Sequence, residues 1–169
     1  MRIGLISDTH AYLDPKVATY FKDVDQIWHV GDIGNLEVLE KLVEIKPVKA
    51  VYGNIDGQEI RNVCPEYLGF TMEGVSVLMI HIADRIGKYN PQVNRLLKNY
   101  HPKLLICGHS HILKVAPDKK NNLLYINPGA AGKYGFHKVK TLLRFTLENA
   151  AIKDLEVVEL GLRSEKITI

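Results

Sequence analysis

Ile3-Gly4-Leu5-Ile6-Ser7-Asp8-Thr9-His10 is a short apolar run that breaks abruptly into ionisable residues. An uninterrupted run of this kind reads as a strand buried on both faces, the habit of a parallel sheet. Working outward, Asp14-Pro15 predicts a helix start, with Asp at the N-cap and Pro at the first helical position, where its missing N–H costs nothing. Gln26-Ile27-Trp28-His29-Val30 reads as the second strand. Asn35 then caps a helix whose Leu36, Leu39, Leu42 and Val43 share a face, with Pro47 just past its end. Val48-Lys49-Ala50-Val51-Tyr52 reads as the third strand. Strand, helix, strand, helix, strand within about fifty residues is the pattern of a parallel sheet with right-handed crossovers.

Further along, residues 67–70 and 75–80 read as strands joined at Glu73-Gly74, a hairpin signal. Asn90-Pro91 repeats the cap-and-proline start and opens a helix through Val93, Leu96, Leu97 and Tyr100, stopped by Pro102. Leu104-Leu105-Ile106-Cys107 is another buried strand. Hairpin-like pieces follow at 112–116, 123–126, 142–147 and 155–160, with turns at 118–122 and 148–150. The expectation is one α/β domain over 1–169, with a parallel half and an antiparallel half.

The chain has 169 residues, 46% hydrophobic and 24% charged, and a formal net charge of +3. That excludes a disordered charged tail, a collagen-like repeat and a disulfide miniprotein. The Lys and Arg residues are dispersed, so composition makes no case for nucleic-acid binding. No apolar run reaches the roughly 18–20 residues of a membrane span, and Met1-Arg2 leads into a strand-like run rather than a signal-peptide pattern. Two cysteines, Cys64 and Cys107, fit a reducing compartment, so a cytoplasmic protein is expected.

Five of the apolar runs end alike. They run into Ser7-Asp8-Thr9-His10, Gly31-Asp32, Gly53-Asn54, His81 and Gly108-His109-Ser110-His111. In open α/β sheets ligands bind outside the carboxyl ends of the strands, and Asp, Asn and His are ligands for metals of intermediate softness. Alone, an Asp after a strand is more often a helix cap or turn residue, Asn54 a plain turn, and His81 a hydrogen-bonded core histidine. The pairs Asp8/His10 and His109/His111, each at i, i+2, are harder to explain by packing, and the coincidence of five such ends points to a metal site. Among the other histidines, His29 reads as core or support for the site, and His101 as a solvated helix-end residue. His137 reads as a residue of a polar loop beside Lys133 and Tyr134, with a substitute acid as the less favoured alternative. Asp56 is open between orienting Asn54 or His81 and being a turn residue.

This order of motifs resembles the calcineurin-like metallophosphoesterases, and the short chain with Asn127-Pro128-Gly129 resembles their small bacterial and archaeal branch of YfcE-like phosphodiesterases. The resemblance implies a four-layer α-β-β-α sandwich of two mixed sheets flanked by helices. It also implies a dinuclear centre, with Mn first and Fe, Zn or Ni as alternatives. Carried over by position, Asp8, His10 and His111 hold one ion, Asn54, His81 and His109 the other, and Asp32 bridges. Asn54 also meets the substrate. Two carboxylates and neutral imidazoles would leave such a centre strongly positive, favouring a bridging hydroxide as nucleophile, with no side chain in that role, and an anionic phosphate. The implied activity is hydrolysis of small phosphate esters, most simply phosphodiesters. The alternative is a non-catalytic metal-binding scaffold or interaction module of the retromer-subunit type, although that subunit departs from the family at the positions matching Asp32 and Asn54. A nuclease of the same superfamily would call for additional domains.

Three departures stand out. Many members have His where Ile55 follows Asn54; His81 is followed by Ile82 rather than Gly; and Ala130-Ala131-Gly132-Lys133 replaces a loop with Ser and a downstream Arg, leaving Lys133 or backbone as the phosphate clamp. Loops 85–90 and 133–137 are expected to set substrate choice, and an open edge among the C-terminal strands would permit a homodimer.

Overall fold

A computed structural model describes residues 1–164. The first elements are β1 (Arg2–Ile6), α1 (Lys16–Phe21), β2 (Gln26–Val30), α2 (Leu36–Ile45), β3 (Val48–Val51) and the short α3 (Gln58–Arg61). A hairpin of β4 (Tyr67–Met72) and β5 (Val75–Ile80) is followed by a smaller one, β6 (Asp84–Arg85) and β7 (Lys88–Tyr89). Next come α4 (Pro91–Tyr100), β8 (Leu104–Ile106), β9 (Leu113–Asp118), β10 (Leu123–Pro128), β11 (Val139–Glu148) and β12 (Ala151–Leu162).

The long strands form two five-stranded sheets, in the orders β12-β11-β1-β2-β3 and β4-β5-β8-β10-β9. In the first, β1, β2 and β3 are parallel and β11 returns antiparallel against β1, with Leu5 opposite Leu143. In the second, β5, β8 and β10 are parallel, with β4 and β9 antiparallel at the edges. The division into a parallel half and an antiparallel half is therefore corrected. Each sheet is mixed, because the C-terminal hairpin pairs back onto the first strand of the chain while the middle of the chain builds a second parallel set.

Side-chain alternation along the strands makes three cores out of two sheets. Trp28 and Val30 point inward and meet Val77, Met79 and Ile106 of the facing sheet, and the Trp28 ring stands edge-on to Phe70 and Phe145 at 5.2 and 5.7 Å. Ile6 and Ile27 point outward under Val17, Phe21, Val38 and Leu42 of α1 and α2. Leu78, Ile80 and Leu105 lie under Val93, Leu96 and Leu97 of α4. The result is the expected four-layer α-β-β-α sandwich. Gly4 lets α1 lie close to β1, since a Cβ there would sit 2.6 Å from the Phe21 ring.

The helix starts follow their caps. Asn35 accepts from Val38 N–H at 3.2 Å, and Asn90 accepts from Val93 N–H at 2.9 Å with Pro91 in the first turn. Asp14 accepts from Lys16 N–H at 3.0 Å, so α1 begins at Lys16, one residue past Pro15. On α2 the buried face centres on Val38 and Leu42, while Val43 is 59% exposed. The i, i+4 pair defines the inward stripe, and the next residue turns about 100° away from it.

Asp14 has a second task. Its carboxylate takes Lys140 Nζ at 2.6 Å, with the lysine fully buried in β11 and Tyr12 against it at 5.3 Å. This pair fastens the loop between β1 and α1, which carries His10, to the start of β11, the strand beside β1. Removing one partner of a buried pair strands the other charge, at about 3 kcal/mol or more. Asp14→Ala should therefore lower unfolding free energy in urea by about 3 kcal/mol; a loss under about 1 kcal/mol would show the pair to be peripheral.

Candidate metal centre

The polar ends of β1, β2, β3, β5 and β8 meet at one rim of the sandwich. Backbone bonds lace the turns of the first sheet together: Asp8 N–H donates to Gly31 O at 3.1 Å and His10 N–H to Asp32 O at 3.0 Å. Two further bonds cross between the sheets. His109 N–H lies 3.2 Å from each Asp8 carboxylate oxygen, and His81 Nδ1 donates to Val30 O at 2.7 Å. Since a carbonyl only accepts, the second bond places a proton on Nδ1 and turns Nε2 inward.

Asp8, His10, Asp32 and His111 offer ligand atoms within 4.8 Å of one another, and so do Asp32, His81 and His109. Asp32 belongs to both groups. Three distances show how the atoms converge: His10 Nε2 faces His111 Nε2 at 3.3 Å, His111 Nε2 lies 3.3 Å from Asp8 Oδ1, and His81 Nε2 lies 3.2 Å from Asp32 Oδ1. Two imidazole nitrogens aimed at each other repel unless a proton or cation stands between them. His81 Nε2 is buried without a hydrogen bond of acceptable geometry. Asp8 and Asp32 are buried at 0% and 2% exposure, and each pairs with histidines: Asp8 with His81 and His111, Asp32 with His10 and His81. Buried carboxylates need a positive partner, and this donor set of carboxylates and inward imidazoles fits divalent cations.

The electrostatics respond to the same deficit. Burial works against a charged His81 ring, but Asp32, Asp8 and the Val30 carbonyl outweigh it and draw its pKa up. Burial would raise the Asp32 pKa, yet His81, the Ile55 N–H and His10 hold it below the usual carboxylate value. For His10 burial prevails over both carboxylates and lowers the pKa.

The local backbone is shaped to the task. Asp8, His10, Asp32, His109 and His111 all have positive φ, between 48° and 67°. Left-handed conformations at non-glycine residues cost free energy and persist only where surroundings enforce them. Gly31, also at positive φ, passes so close to His81 that a Cβ would lie 2.7 Å from its Nδ1. Asp56 supplies part of the enforcement: its carboxylate accepts from Gly53 N–H at 2.7 Å, Gly34 N–H at 2.8 Å and Ile33 N–H at 3.1 Å. It thus clamps the Asp32 turn to the Asn54 turn. Asn127 donates to Gly108 O at 2.7 Å and to Ser110 Oγ at 3.1 Å, bracing the turn that presents His109 and His111.

Asn54 is exposed and lines a cavity of about 320 Å³ together with His81. Ile82, in place of the usual glycine, directs its carbonyl to Asn90 Nδ2 at 3.0 Å, which ties the turn to the cap of α4. Lys133 lies over the Tyr12 ring at 4.2 Å. His137 stacks edge-on against His111 at 5.4 Å and bonds Gly132 O at 3.0 Å through Nε2; burial lowers its pKa. His101 caps α4 in the left-handed region, exposed, away from the site. Sequence reasoning missed Arg61, which enters the cavity from α3, a helix too short to show periodicity.

Residues 1–150 match the calcineurin-like phosphoesterase superfamily domain. The chain belongs to that superfamily. Among its relatives is a "probable metallophosphoesterase" of Methanocaldococcus jannaschii, 33% identical over 137 residues covering 77% of this chain and 68% of that one. Another, of Methanothermobacter thermautotrophicus, is 30% identical over 140 residues, covering 77% of each. Solved structures with the same calcineurin-like fold include an archaeal phosphodiesterase, with a TM-score of 0.75, 22% identity and coverage of 94% of this chain and 99% of that one. Zinc-complexed Vps29 from Entamoeba histolytica has a TM-score of 0.73, 16% identity and coverage of 95% and 100%.

His29 lies directly beneath the phosphoesterase rim, fully buried. Gly31 N–H donates to its Nδ1 at 3.2 Å, so its ring proton sits on Nε2 and reaches Thr9 Oγ1 at 2.9 Å, whose hydroxyl donates to Ile33 O at 3.0 Å. Burial pushes its pKa down to about 4 against the lift from Asp56 and Asp8. A histidine depressed on folding contributes stability that is complete above its unfolded value of about 6.5 and is lost as pH falls toward its folded value. Unfolding free energy should therefore drop by up to about 3 kcal/mol between pH 6.5 and 4, and His29→Gln should flatten that stretch of the profile. Equal slopes in both proteins would remove His29 as the cause.

Proposed function

We propose that the protein is a metal-dependent phosphodiesterase that uses two divalent ions, one held by Asp8, His10 and His111, the other by Asn54, His81 and His109, with Asp32 shared. The observation that carries this reading is the meeting of two ligand groups at a common buried carboxylate, beside an open cavity. Manganese suits this mixture of carboxylate, amide and imidazole, as do iron, zinc and nickel. When bound, such ions supply a nucleophile from water at neutral pH and positive charge for the phosphate.

The chain's own residues define the rest. Asn54 stands where it can hold an ion, a phosphate oxygen, or both in turn. Ile55, 47% exposed, cannot give a proton to the leaving oxygen. Loop 130–133 offers no free cation for a doubly charged monoester, since Lys133 is engaged with Tyr12. A diester carries one negative charge and a second arm, and both suit a site of this composition. The likeness to an archaeal phosphodiesterase supports the same choice at the level of fold. Free, buried Cys64 and Cys107 fit a reducing cytoplasm, and no helix among the described residues is long and apolar enough to cross a membrane.

A scaffold role of the Vps29 kind is the second reading. It draws on the fold likeness and on exposed Ile112, Tyr134 and Phe136 beside the rim. The presence of both Asp32 and Asn54 favours the enzyme.

Chelation followed by manganese should abolish and restore hydrolysis of bis-p-nitrophenyl phosphate, with p-nitrophenyl phosphate the poorer substrate. Asp32→Asn should lose at least one ion and nearly all turnover. Metal-loaded protein inert toward both esters would overturn the enzymatic reading in favour of the scaffold. General-acid help is worth about 10²–10⁴-fold, so rates should fall steeply with leaving-group pKa, and Ile55→His should help poor leaving groups most. A flat dependence in the unaltered protein would show that another group already donates the proton.

A further inference from the structure

The cavity at Asn54 and His81 has one wall built from Tyr52 and Arg61. The Arg61 guanidinium lies over the Tyr52 ring at 4.4 Å, its Nε donates to Asp56 O at 2.7 Å, and Nη2 points at Gly53 O at 3.5 Å. These contacts hold it at the foot of the turn that carries Asn54. We propose that this cavity is the subsite for the second ester arm of the substrate, and that the arm it takes bears an uncharged flat ring, as a nucleoside or aryl alcohol does. The inference rests on the phosphodiesterase reading only for placing the phosphate at Asn54 and His81.

Size argues first. At about 320 Å³ the cavity is far larger than a phosphate group and falls in the range of small-molecule pockets. Chemistry argues next. Arg61 already directs two donors at carbonyls, so it presents a stacked face and a remaining edge rather than the free fork that grips phosphate bidentately. Glu66, which also lines the cavity, opposes a second anionic group. Asn90 is spent, with its amide on Ile82 O and its oxygen on Val93 N–H. Gln92 and Glu66 remain to bond hydroxyl or amide edges, and Ile82 supplies an apolar surface. Aromatic and guanidinium walls take flat rings by stacking, largely independently of the ring's identity.

Calorimetric titration of manganese-loaded protein with dimethyl phosphate and with the methyl ester of thymidine 5′-phosphate separates binding from turnover. The thymidine ester should bind at least tenfold tighter, and Arg61→Gln should remove that advantage. Because Arg61 also braces backbone carbonyls, Gln92→Trp provides a second variant that fills the cavity from the α4 side, and it too should erase the difference. Equal affinities in the unaltered protein, or an advantage that survives both substitutions, overturns the subsite. Turnover of bis-p-nitrophenyl phosphate by the same preparation reports on the enzymatic reading alone: turnover with equal affinities sinks the subsite only, and tighter thymidine binding without turnover sinks the activity only.

Discussion

Two carboxylates, Asp8 and Asp32, are buried where the carboxyl ends of two sheets converge, and the surrounding structure answers to that charge. Burying an unpaired carboxylate costs several kcal/mol even after relaxation. Here the cost is met by imidazoles and backbone N–H groups drawn from both sheets. His109 N–H reaches Asp8 from the second sheet, and Ile55 N–H reaches Asp32 Oδ1 at 3.1 Å from the turn after β3. The rim therefore does more than display ligands: it is one of the seams that join the two halves of the sandwich.

The seam is strained by design of its turns, and the strain is contained from behind. Five of the proposed ligand residues sit at positive φ, which short turns impose in order to aim their side chains inward. Asp56, Asn127 and the His29–Thr9 pair hold those turns through backbone groups without facing the ligand cluster themselves. Outside that brace lie the apolar layers around Trp28, Phe21 and Leu105, which keep the strand ends in register.

Much of this was legible in the chain because doubly buried strands are apolar runs, and a run of four to six residues that stops at Asp or His marks both a strand end and its chemistry. Residues 75–80 and the start of α4 at Asn90-Pro91 read off without adjustment. Pairing did not. Nothing local in residues 139–148 says that they lie beside β1 rather than with β10, since that choice is made by burial on both faces after collapse. Lys140 carries no local sign of burial, and its partner Asp14 is 126 positions away. Arg61 was invisible for a similar reason: α3 has four residues, too few for a period, and the guanidinium acquires its meaning from Tyr52 and two carbonyls. His29 could be placed inside a strand, but its role as an acceptor for Gly31 needed the turn geometry.

The central claim is that two ions share Asp32. Anomalous diffraction from crystals soaked in manganese, collected at energies on both sides of the manganese edge, tests it most directly. The account predicts two manganese peaks on either side of the Asp32 carboxylate, one in coordination distance of Asp8, His10 and His111, the other of Asn54, His81 and His109. A single peak at saturating manganese, or peaks that leave Asp32 uncoordinated, would contradict it.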